Sequence, residues 1–129
     1  MKRLVIVVGM CGCVSAMALL LQPKVRADAA CGETGQPSCP LQGWMETQMD
    51  PPSDKGDMKA LAAAYEKLAK MAPDPKWNEG ESGWSKIATA GAEAAKKGDT
   101  VAAKAQCKTC HKAWRSKYKD TFRTKPVPK

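Results

Sequence analysis

Apolar side chains recur at helical spacing in four stretches of this chain. Over residues 57–72, Met58, Leu61, Ala62, Tyr65, Leu68, Ala69 and Ala72 gather on one face, with Asp57 placed to cap the helix and Pro73 to end it. Residues 82–97 repeat the pattern with Trp84, Ile87, Ala88, Gly91 and Ala95. Gly91 among many alanines predicts the close approach of another helix or of a flat cofactor. Residues 100–122 put Ala103, Cys107, Cys110, His111, Trp114 and Tyr118 on one stripe, and Lys104, Lys108, Lys112, Arg115 and Lys119 on the opposite, solvated one. Asp99 is a good N-cap there, and Gly98 closes the preceding helix. A shorter element over 40–50 opens with Pro40 at its first helical position and sets Leu41, Trp44 and Met45 on one face. Residues 30–38, 50–56 and the end from Lys125 read as loop or tail, and no internal repeat is visible.

Composition supports this pattern. The last hundred of the 129 residues are rich in Ala, Lys, Met and Glu and poor in β-branched residues, so the expected fold class is all-α. One small domain is expected, over residues 30–129, too short for a doubly wound nucleotide-binding fold or a barrel enzyme. Residues 1–29 have the layout of an export signal. Lys2 and Arg3 are the basic start, Leu4 to Leu21 is an apolar run, and Ala27-Asp28-Ala29 offers the cleavage site, after Ala29 or alternatively Ala27. A retained anchor is the competing reading, because the run reaches the lower limit for spanning a bilayer. Gly9, Gly12 and Ser15 interrupt it, which favours cleavage and a periplasmic product with no membrane attachment. Cys11 and Cys13 would leave with the signal.

Export changes how the remaining cysteines read, since free thiols are unusual in an oxidising compartment. Cys31 and Cys39 enclose a flexible Gly-Glu-Thr-Gly-Gln-Pro-Ser loop, and a disulfide between them is expected. Cys107-Lys108-Thr109-Cys110-His111 has the spacing of a c-type haem attachment site. On a helix the two sulfurs and the imidazole project to one side. Two thioether bonds to the vinyl groups then leave His111 beneath the iron as the proximal ligand, with one haem c per chain. His111 is the only histidine, so no second one can complete a zinc site of the usual type. A thioredoxin-like disulfide would need a βαβ context that the pattern lacks. Trp114 and Tyr118 are expected to pack on or beside the porphyrin.

The iron's other axial position suits a soft thioether. Met1, Met10 and Met17 fall in the signal, and packing accounts for Met58 and Met71. Met45, beside Trp44 on the short element, is the chosen distal ligand, and Met49, one turn later, the runner-up.

The stretch Gly91-Ala-Glu-Ala-Ala-Lys-Lys-Gly-Asp99, followed by Cys107-Lys-Thr-Cys-His-Lys-Ala-Trp-Arg-Ser-Lys-Tyr118, resembles the closing half of class II cytochromes c, the cytochrome c′ group with its low-spin methionine-ligated relatives. The likeness covers about the last forty residues. It implies an antiparallel four-helix bundle around the haem, with a short first helix here, and a Met of that first helix as distal ligand, the place Met45 holds. Seven residues separate Asp99 from Cys107 and the helices are shorter than the family's, which implies a shortened variant. Cys31 and Cys39 stand outside the family pattern.

Charge is divided along the chain. Residues 101–129 carry nine Lys or Arg, Lys117, Arg123, Lys125 and Lys129 among them, against Asp120 alone, whereas residues 30–100 carry eight basic and eleven acidic side chains. The basic end is expected to steer an acidic redox partner rather than nucleic acid. No acid–base machinery is evident, so the expected function is an electron carrier and not an enzyme. Two other readings stay open: a five-coordinate gas-binding or sensing haem protein with Leu41 and Trp44 lining the distal side, and a haem-bearing accessory subunit of a larger complex. A homodimer is also open.

Overall fold

The computed structural model describes residues 31–127, and every regular element among them is helical. In chain order they are α1 (Pro40–Gln48), α2 (Asp50–Lys55), α3 (Met58–Leu68), α4 (Trp84–Lys96) and α5 (Thr100–Lys117), with a 3₁₀ turn at Pro75–Asn78 and a π turn at Tyr118–Phe122. The expected export signal, with Cys11 and Cys13, lies outside the described residues. No helix among those described is long and apolar enough to cross a membrane.

Helix α4 runs antiparallel to both α3 and α5, and the three hold most of the core. At one end Trp84 Nε1 donates to Leu68 O (2.6 Å) and Trp114 Nε1 to Ser82 O (3.1 Å); at the other, Thr100 Oγ1 meets Met58 Sδ (3.6 Å). Leu61, Tyr65, Leu68, Ile87, Ala92 and Ala103 fill the interior between. Gly91 is buried against α3, where a Cβ would lie 2.5 Å from the Tyr65 ring. Of the two approaches its sequence setting predicts, the structure realises that of a helix. Asp57 and Asp99 cap α3 and α5 as expected, accepting from the N–H groups of Ala60 and Ala102. Gly98 turns out of α4 at φ +73°.

Four details depart from the sequence expectation. The first helix breaks at Met49 and a second one occupies residues expected to be loop. Pro51 and Pro52 lack the N–H groups that would continue α1, but they suit the first turn of a new helix, which Gly56 ends at φ +72°. Helix α3 stops at Leu68 rather than reaching residue 72. Side chains from α4 take its last carbonyls, Trp84 on Leu68 O and Ser85 Oγ on Ala69 O (2.6 Å), so the ending is a tertiary cap and comes before Pro73. The helix expected over 100–122 widens into the π turn after Lys117. Trp77, which the sequence pattern assigns to no element, is buried on the 3₁₀ turn, stacked on Trp114 (centroids 4.7 Å) and edge-on to Phe122 (5.1 Å).

The α1–α2 arm reaches the core through buried Leu41 and Met49. Cys31 and Cys39 are joined by a disulfide immediately before α1. Arg123, just past the π turn, donates to Cys31 O and pairs with Glu33 at 3.0 Å, clasping this loop to the chain's other end.

Candidate functional site

A cavity of about 450 Å³ separates the α1 arm from α5. The arm contributes Leu41, Gln42, Met45 and Met49 to its walls, and α5 contributes Cys107, Cys110, His111, Trp114 and Arg115. Tyr65, Leu68 and Trp84 form its floor, and Tyr118, Lys119 and Arg123 extend it past the end of α5. The helical repeat explains the α5 side: steps of three, one and three from Cys107 stay within one face. Cys39 also borders the space, whereas Cys31 lies behind it in the disulfide loop. Trp44 is partly buried against the core and does not line the cavity.

The thiols differ in setting. Cys110 is buried, and burial followed by the neighbouring Cys107 pushes its thiol up to about 11. Cys107 is half-buried, with Sγ 2.9 Å from the hydroxyl of Tyr65. That hydroxyl donates to Ala103 O at 2.8 Å. His111 is less enclosed. Partial burial, and next the Arg115 charge, hold its imidazole below the usual value, while Asp50 across the cavity acts the other way. The neutral ring favoured here is the form that binds a metal.

Trp114 borders the cavity while stacking on Trp77 and lying under the Lys117 ammonium (4.7 Å). Tyr118 also borders it and donates from its hydroxyl to Arg123 O (3.0 Å). The basic stripe of α5 is exposed, as expected, but it is not wholly opposite the site. Arg115 and Lys119, four and eight residues beyond His111, reach the cavity's rim.

These features bear on which groups the space can take. Its volume lies in the range of cofactor and ligand sites, about 300–1,000 Å³. Among the described residues no three His, Cys, Asp or Glu side chains converge to hold a bare metal ion. The lining includes one imidazole and the thioethers of Met45 and Met49, which can supply the axial positions of an iron that brings its own equatorial nitrogens. The residues fit a haem.

Sequence pattern led to Met45, Met49, Cys107, Cys110, His111, Trp114 and Tyr118, and the fold brings all of them to one cavity. It did not single out Tyr65, Leu68, Trp84, Asp50 or Arg123 as site residues. The first three read as ordinary core by spacing, and the only hint of Tyr65 was the small residue at Gly91 facing it. Comparison of the chain with protein-family models, curated proteins and solved structures returned no match.

Proposed function

We propose that the protein is an exported c-type cytochrome carrying single electrons, in the manner of the class II group its last helix resembles. One observation carries the reading: the cavity that holds Cys107, Cys110 and His111 is also lined by Met45 of α1 and by Met49, the residue just past its end. A haem bound there supplies an iron that gains and loses one electron. Cys107 and Cys110 would hold the group through thioethers, and His111 would be its proximal ligand, neutral and steadied by its place in mid-helix.

Met45 is the proposed distal ligand. It is half-buried at the cavity wall, packed against the buried cluster, whereas Met49 is 5% exposed and part of that cluster. Trp114 and Tyr118 would flank the ring. The disulfide and the Arg123 clasp restrain the arm that carries Met45, which would limit movement of that side chain when an electron is gained or lost. Export to the periplasm is supported by the Cys31–Cys39 disulfide, a bond expected in an oxidising compartment. Exposed Lys104, Lys108, Lys112, Arg115 and Lys119 would dock an acidic redox partner.

The test is spectroscopic. Material made alongside a haem-attachment apparatus should be coloured, should retain its pigment in acidified acetone, and should be low-spin when oxidised and reduced. Met45→Ala should turn the ferric spectrum high-spin and let the reduced protein bind carbon monoxide quickly. Colourless material would refute the haem reading; a low-spin Met45→Ala protein would pass the ligand role to Met49.

A further inference from the structure

Tyr65 has a polar arrangement that core packing does not require. Its ring is 1% exposed and fills the space left by Gly91, a role phenylalanine would serve equally. Its hydroxyl is different. It lies 2.8 Å from Ala103 O and 2.9 Å from Cys107 Sγ, on the wall of the cavity. A phenol has one proton to give. Ala103 O can only accept, so the Tyr65 proton belongs to it, and the phenol oxygen is left to accept from the Cys107 thiol. The chain Cys107 S–H to Tyr65 O–H to Ala103 O satisfies every proton and fixes the rotamer of Cys107. Among the described residues no hydrogen bond of this kind holds Cys110, and the other acceptor near Cys107, Ala103 O itself, is 4.0 Å away.

We infer that Tyr65 is a positioning residue for covalent haem attachment at Cys107: its hydroxyl holds that thiol at the cavity wall in the orientation from which it adds to a vinyl group. The inference rests on the haem reading above. In the addition the sulfur bonds to the vinyl α-carbon, the carbon–carbon double bond is spent, and the thiol proton ends on the β-carbon as part of a methyl group. No electrons are gained or lost, and both thiols enter reduced. Once Cys107 has become a thioether it has no proton to donate, and Tyr65 keeps its bond to Ala103 O. The interaction is therefore specific to the state before attachment, and its loss affects one of the two bonds.

The experiment expresses the full chain with a haem-attachment apparatus as wild type, Tyr65→Phe, Cys107→Ala and the double variant. Attachment is read from the pyridine haemochrome α band, which moves to longer wavelength for each vinyl left unsaturated, and from alkylation of free Cys107 followed by peptide mass analysis. Losing an orienting hydrogen bond should slow the Cys107 thioether about fivefold. Tyr65→Phe should then accumulate a singly attached haem, with Cys110 bonded and Cys107 open to alkylation. In the Cys107→Ala background the same substitution should change neither yield nor band position. Equal, double attachment in wild type and Tyr65→Phe overturns the proposal. So does an equal loss of yield in both backgrounds, because that marks a role in folding alone. Colourless wild-type protein would instead refute the haem reading on which the inference stands.

Discussion

At the scale of single residues, Tyr65 has the most perturbed surroundings in the described chain. Burial first, then the hydrogen bond with Cys107, hold the phenol proton well above the ordinary value of 10.0. The unfolded chain releases that proton near pH 10 while the folded one keeps it. The stability contributed by the buried phenol is therefore complete below pH 10 and is lost as pH rises above it. Denaturant midpoints of the haem-free protein measured at about pH 9 and about pH 11.5 should fall more steeply for wild type than for Tyr65→Phe. Parallel falls would show that the phenol remains in contact with solvent.

At the scale of elements, two helical glycines separate propensity from packing. Alanine improves on glycine by about 1 kcal/mol in a helix interior. At Gly43 in α1 the nearest atom to an added Cβ is the Ser38 Cβ at 3.6 Å, an ordinary contact. Gly43→Ala should therefore raise stability by about 0.5–1 kcal/mol. At Gly91 the same methyl would meet the Tyr65 ring at 2.5 Å, and that ring is tethered through its hydroxyl to Ala103 O and so cannot swing aside cheaply. Overpacking of this kind costs about 1–3 kcal/mol. The clash outweighs the propensity gain, and Gly91→Ala should lower the thermal midpoint where Gly43→Ala raises it. A stabilised Gly91→Ala protein would mean that α3 and α4 are less closely apposed than described.

At the scale of the whole molecule, charge is the organising feature. The excess of basic groups after residue 100 lies largely on the exposed side of α5, and Arg115 and Lys119 bring it to the cavity rim. Fields from such a surface reach about 10 Å at 0.1 M salt and shrink as salt is added. On the proposed electron-carrier reading, exchange with a small anionic redox reagent should therefore slow several-fold between low and high ionic strength, while exchange with a cationic reagent should speed up. Stopped-flow rates across a salt series give the slopes. Slopes of equal sign for the two reagents would place the electron's exit away from the basic helix.

Much of this architecture was legible from local information. Helical spacing, Asp57 and Asp99 as caps and Gly98 as a terminator are set within a few residues, so pattern sufficed to find α3, α4 and α5 and to put Cys107, Cys110, His111 and Trp114 on one face. The Cys31–Cys39 pairing was equally local, because a short flexible loop joins its ends. Helix endings that depend on distant partners were not legible. Leu68 and Ala69 end α3 because Trp84 and Ser85 arrive from another helix, and neither is visible in the residues around position 70. Pro51 and Pro52 read locally as loop, although two prolines can open a helix as readily as they close one. Local chemistry thus specified the helices and the residues proposed to hold a haem, since those depend on neighbours three or four positions away. The cavity, the arm that brings Met45 and Met49 to it, and the hydroxyl of Tyr65 beside Cys107 arise from contacts between segments some forty to ninety residues apart, and a one-dimensional pattern does not encode distances of that kind.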